Sequence, residues 1–159
     1  MLSQMERLRQ EVDGRYASDE ELKFFEEYIQ TFPQRLSAYR RIQMTEAILI
    51  QQVQRKLRSQ DPRLLRSGQQ DVSGKWKRDT LRVLRYSALA MLINDPELLQ
   101  ESLLFWMQTV MRAFGAQRSC DVTYRLMQEV AQQHLPRTEA ALFCPILELN
   151  RSVLGDEAA

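Results

Sequence analysis

Between Gln34 and Ser59 the chain contains neither glycine nor proline, and Leu36, Tyr39, Ile42, Ile48, Ile50, Val53 and Leu57 return at helical intervals along it. Such a stretch has no place among the short strands and frequent turns of an all-β fold, and is read as helix with one face against a core. The polar run from Gln43 to Glu46 leaves open a division into two helices. The rest of the chain agrees, with only five glycines and five prolines in 159 residues.

Leu2, Met5, Leu8 and Val12 recur at three- and four-residue steps, predicting a short amphipathic helix that ends near Gly14. Ser18 and Glu21 form a capping-box pattern ahead of Leu22, Phe25, Tyr28 and Ile29, and Pro33 is expected to end or bend that second helix. After the long segment, Asp61, Pro62, Ser67, Gly68, Ser73 and Gly74 supply a loop. A central helix follows from about Lys75 to Asn94, with Leu81, Leu84, Ala88 and Leu92 as its buried stripe and Arg78, Arg82 and Arg85 on a basic face. Asp95 and Pro96 form an N-cap and N1 pair for a helix carrying Leu99, Leu103, Trp106 and Val110 on one side, closed by Gly115. Ser119 is read as the cap of the next helix. Leu135-Pro136 interrupts before a last one from about Thr138, which Pro145 is expected to kink. About eight helices in a single domain result, all-α, with no internal repeat.

Composition narrows the class. At 44% hydrophobic and 27% charged, with a formal net charge of +1, the chain is globular and large enough to bury a core without disulfide or metal staples. Cys120 and Cys144 are too few for a disulfide framework, are not spaced as zinc ligands, and are read as small core residues. The N-terminus lacks the apolar core of a secretory signal, and the longest apolar run, Ala88 to Ile93, falls far short of the roughly 20 residues of a membrane span. A cytoplasmic protein, or one peripheral to a membrane, is expected.

Three stretches together resemble the phycobiliproteins, the bilin-carrying light-harvesting subunits of cyanobacteria and red algae. Arg35-Leu36 through Ile42 to Ala47-Ile48 is one. Arg78-Asp79, then Leu84-Arg85-Tyr86, then Asn94-Asp95 is the closest, and Phe114-Gly115 is the third. The resemblance covers nearly the whole chain and implies a globin-like fold with two extra N-terminal helices, 1–32 forming the helical pair and 33–154 the globin core of one domain spanning 1–159.

In that family a bilin hangs by a thioether from a cysteine two positions before the Arg-Asp pair; here Trp76 stands there. An indole has no nucleophilic sulfur and its bulk takes the space of a linked pyrrole ring, so covalent attachment is not expected at this position. Neither remaining thiol stands in for it. By the resemblance, Arg78 would meet a propionate and Asp79 the pyrrole N–H groups. Trp76, Arg78 and Asp79 therefore mark a vestigial or noncovalent bilin pocket, or, in the plainer reading, Arg78, Asp79 and Arg82 form a surface charge network. No cofactor is expected beyond a noncovalent bilin.

The resemblance also implies that an N-terminal aspartate pairs with the central-helix arginine of a partner subunit. Asp13 and Arg85 supply both residue types, and the alternative is an intrachain or solvated pair. Phe24 and Phe25 are costly to expose, which points to a homodimer or heterodimer through the N-terminal helices. His134, the only histidine, lies near a helix end and reads as a capping or solvated residue rather than a haem ligand. The basic cluster from Arg40 to Arg85 carries no nucleic-acid-binding motif, so nucleic acid is not expected as a partner and acidic antenna or photosystem proteins are. No catalytic set is apparent. The expectation is a non-enzymatic, pigment-free relative that acts by protein contacts in phycobilisome or photosystem assembly, regulation or turnover, in the cytoplasm or at the thylakoid surface. A noncovalent bilin or tetrapyrrole carrier or sensor is the alternative.

Overall fold

A computed structural model describes residues 1–155. Helix α1 (Leu2–Glu11) leads through a turn, in which Gly14 adopts φ +73°, to α2 (Asp19–Gln60). The capping box forms as read: Glu21 N–H donates to Ser18 Oγ and Ser18 N–H donates to Glu21. Arg15, by hydrogen bonding, and then the Ser18 backbone pull the Glu21 carboxyl down to about 2. A 3₁₀ turn (Pro62–Leu65) and a two-residue hairpin, β1 (Arg66–Ser67) against β2 (Gln70–Asp71), connect to the central α3 (Ser73–Ile93). Next come α4 (Pro96–Leu99), a π-helical turn (Gln100–Leu104), α5 (Phe105–Ala113), α6 (Gln117–His134) and α7 (Arg137–Leu154).

Helix α2 packs on α3, α6 and α7, and α6 lies along α7. The core draws Ile42, Leu49, Ile50 and Leu57 from α2, Val83, Leu84 and Met91 from α3, Leu126 and Met127 from α6, and Phe143 and Leu147 from α7. Full burial of one such side chain stabilises by about 1.5–3 kcal/mol, so this cluster, with no staple, holds the fold. Between α2 and α7, Ser37 and Arg41 both donate to the buried Glu139 carboxylate, at 2.8 and 2.9 Å.

Several local expectations are corrected. Of the two outcomes expected at Pro33, an end or a bend, the first does not occur: α2 runs through it, and Pro33 and Ile29, whose carbonyl loses its helical donor, are both exposed, which leaves that carbonyl open to solvent. Gln43 to Glu46 do not divide α2 either; Gln43 and Met44 face outward while Ile42 and Leu49 keep the buried stripe continuous. The segment read as a second N-terminal helix is thus the first half of α2, continuous with the core. Ser119 lies inside α6, where its hydroxyl donates to the Leu64 carbonyl and ties the helix to the 3₁₀ turn. Pro145 lies inside α7, as the sequence places it, and is exposed.

The largest change of register follows Asp95. It caps α4 as predicted, accepting from Leu98 N–H at 3.1 Å. The π turn then inserts an extra residue, so burial passes from Leu99 and Leu103 to Leu104, Met107 and Met111. Trp106, expected on the buried side, turns outward and is 57% exposed.

Candidate functional site

The first half of α2 leaves the core: its first buried residue is Ala38, and α1 buries none of its side chains. Leu22, Phe25, Ile29 and Phe32 fall at i, i+3, i+7 and i+10 and so share one face, all of them exposed, Ile29 at 58%. Leu2 and Met5 on α1 are exposed as well. Phe24 is half-buried against the edge of Phe25, with ring centres 6.2 Å apart, and Phe25 faces out. Sequence reasoning named Phe24 and Phe25 for association and omitted Leu22, Ile29 and Phe32, although their spacing was available. Asp13 is exposed in the α1–α2 turn. Arg85 points elsewhere and forms a two-pronged pair with Glu46 of the same chain at 3.0 and 2.7 Å. Asp13 and Arg85 therefore do not pair within the chain, and no sequence spacing singled out Glu46.

A cavity of about 360 Å³ lies under the hairpin between α3, α5 and α6. Trp76 forms one wall, fixed by an indole N–H donation to Thr123 Oγ1 at 2.9 Å, with Met107 and Met111 from α5 and Cys120 and Tyr124 from α6. Asp79 projects into the same space. Among the described residues neither the Asp79 carboxylate nor the Tyr124 hydroxyl has a hydrogen-bond partner. Burial, with a smaller contribution from Asp79, pushes the Cys120 thiol up to about 12, and burial drives the Tyr124 phenol well above its ordinary value. At the mouth stand Arg63, Arg66, Lys75 and Arg118. Arg63 pairs with Asp61 at 3.0 Å, and the Lys75 ammonium sits 3.6 Å over the Phe114 ring.

Trp76 and Asp79 are therefore brought together, and Arg78 is not with them. It lines a separate, shallow groove on the outer side of α3 with Arg82 and Arg85. The charge network read for Arg78, Asp79 and Arg82 does not form, since no bond joins the three. Cys120, read as a small core residue, packs against the core from the first turn of α6 and also lines the cavity with Asp79, a meeting that only the fold reveals. His134, read as a capping or solvated residue at the end of α6, is half-buried and lies 3.0 Å from the side-chain oxygen of Gln52 on α2, so it ties the two helices together. Among the described residues no cluster of His, Cys, Asp or Glu could hold a metal ion, and no helix is long and apolar enough to cross a membrane.

The sequence profile of the phycobilisome proteins matches residues 8–154. The chain belongs to the phycobilisome protein family. With the helical architecture above, this makes it an all-α, globin-like member of the phycobiliprotein superfamily. No curated protein matches its sequence.

The pigment that the family implies meets an uneven fit. Covalent attachment finds no support: position 76 offers an indole, and the one thiol in the cavity is held protonated. The noncovalent case is different, because an unpartnered carboxylate and phenol inside a cavity can receive and give hydrogen bonds to a heteroaromatic guest.

Proposed function

We propose that this phycobilisome family protein works without a covalently held bilin, by protein–protein contacts in the assembly, regulation or turnover of phycobilisomes or photosystems. The supporting observation is the unpartnered apolar face of Leu22, Phe25, Ile29 and Phe32 on the projecting half of α2. Each is about half exposed. Covering all four would contribute about 3–6 kcal/mol, half the value for full burial, which is enough to drive association when joined by α1. The occupant is a phycobilisome or photosystem subunit, or a second copy, with Asp13 in the α1–α2 turn open to the partner, while Arg85 on α3, held by Glu46, stands outside the contact. Residues 1–32 act as the docking pair and 33–154 as the globin core of a single domain. No reaction is assigned, and the site of action is the cytoplasm or the thylakoid surface.

Size-exclusion chromatography with light scattering, on the protein alone and mixed with purified phycobilisome subunits, tests this reading. Ile29→Glu should abolish any complex while leaving the helical spectrum intact. A wild-type protein that stays monomeric in every mixture overturns it.

The cavity supports a second reading, a noncovalent tetrapyrrole carrier or sensor, through the free Asp79 and Tyr124 groups beside the Trp76 indole. Protein purified from bilin-producing cells should then be coloured and lose its pigment on denaturation. A colourless protein leaves only the contact role.

A further inference from the structure

On the outer side of α3, Lys77, Arg78 and Arg82 stand around an open groove of about 520 Å³ floored by Leu81 and Tyr86, and no carboxylate lines it. Arg85, at its far end, is taken by Glu46. Lys77 and Arg78 have no ion-pair partner among the described residues, and the Arg82 guanidinium lies over the Trp106 ring at 5.8 Å. The π turn that rotates Trp106 outward leaves Phe105 beside it 52% exposed. Like charges one turn apart on a helix repel, and arginine stacked on an exposed indole is a common anchor at protein interfaces.

We infer that this face docks an acidic amphipathic helix of a partner protein. Its carboxylates would meet Lys77, Arg78 and Arg82, and its apolar side would cover Leu81, Tyr86 and Trp106. The three cations occupy only about one and a half helical turns, roughly 8 Å of axis, which suits carboxylates at i and i+4 on a facing helix. A polyanion finds less here. Three cations over roughly 8 Å make a short track for a polyanion, and residues 1–32, with eight carboxylates (Glu6, Glu11, Asp13, Asp19, Glu20, Glu21, Glu26, Glu27) against four cations (Arg7, Arg9, Arg15, Lys23), do not extend it. The groove also has an apolar floor suited to side chains. Because this face shares none of its docking residues with the projecting half of α2, its failure would leave the association proposed above untouched.

Fluorescence anisotropy tests the assignment with a labelled synthetic helix bearing a leucine face flanked by glutamates. Matched oligouridylate and phosphatidylglycerol vesicles serve as competitors. The wild-type protein should bind the peptide, more weakly as salt rises, and Arg78→Glu/Arg82→Glu should weaken it about tenfold or more. Trp106→Ala should weaken it as well, with both variants keeping the wild-type circular dichroism. No peptide binding, equal binding by the double variant, or tighter binding of the nucleic acid or the vesicles overturns the inference.

Discussion

Replacing Trp76 by cysteine tests the reading of the cavity most directly, because it alters packing and chemistry at once. The indole is half-buried and packs against the core, so it should lose about half of the 3–5 kcal/mol that a buried tryptophan costs on truncation, about 2 kcal/mol. Its N–H bond to Thr123 adds about 1 kcal/mol. The total, about 3 kcal/mol, should lower the Tm by about 6–12 °C in a domain of this size. The new thiol would line the cavity nearer its mouth, at a half-buried position that a bilin can reach, unlike the buried Cys120. Incubation with a free bilin, followed by a denaturing gel and zinc-enhanced fluorescence, should then show a pigmented band for Trp76→Cys and none for the wild type. An unchanged Tm would refute the packing of the indole. A pigmented wild-type band would refute the claim that residue 76 decides attachment.

Cys120 should resist iodoacetamide at pH 8 in the native protein and react once denatured, since a thiol near 12 is thiolate in only about one molecule in ten thousand at that pH; mass spectrometry of the labelled peptide checks this. Burial alone would raise Asp95, but the Ser3 N–H and then the Leu98 N–H, with the Ser3 hydroxyl, outweigh it and hold the carboxyl below its ordinary 3.8. The stabilisation is therefore present above the ordinary 3.8 and lost as the pH falls through the lowered value, so Asp95→Asn should lower the Tm at pH 7, and the difference from wild type should shrink as the pH is taken progressively below 3.8. Glu139→Ala strips Ser37 and Arg41 of their shared acceptor and should cost about 2–3 kcal/mol by urea unfolding.

Helical periodicity, the Ser18–Glu21 box and the Asp95-Pro96 cap are all legible in the sequence, because each is settled by residues close together in the chain. What escaped was decided by neighbours. Pro33 reads as a breaker, yet costs little where its orphaned carbonyl faces water. Trp106 reads as a core residue under a uniform 3.6-residue period, and the π turn at Gln100–Leu104, which no local pattern announces, turns it out. The cavity was legible only at Trp76 and Asp79, which share a face of α3. Cys120 and Tyr124 reach it from α6, and a single sequence carries no signal for that meeting.

Arg85 shows why the apolar face, and not the ion pair, should govern association. Its bond to Glu46 joins a side chain 65% exposed to one 25% exposed, and pairs of that kind contribute about 0–1 kcal/mol. A partner that presented an aspartate in place of Glu46 would exchange one carboxylate for another at almost no net change. The intrachain pair therefore neither blocks a contact at the α3 edge nor supplies its driving force. Burial of Phe25, Ile29 and their neighbours is several-fold larger and depends little on salt. Association by this route should thus survive high ionic strength, whereas docking on the Lys77–Arg82 groove should not. The two surfaces differ in the physics that would fill them, and salt alone separates them.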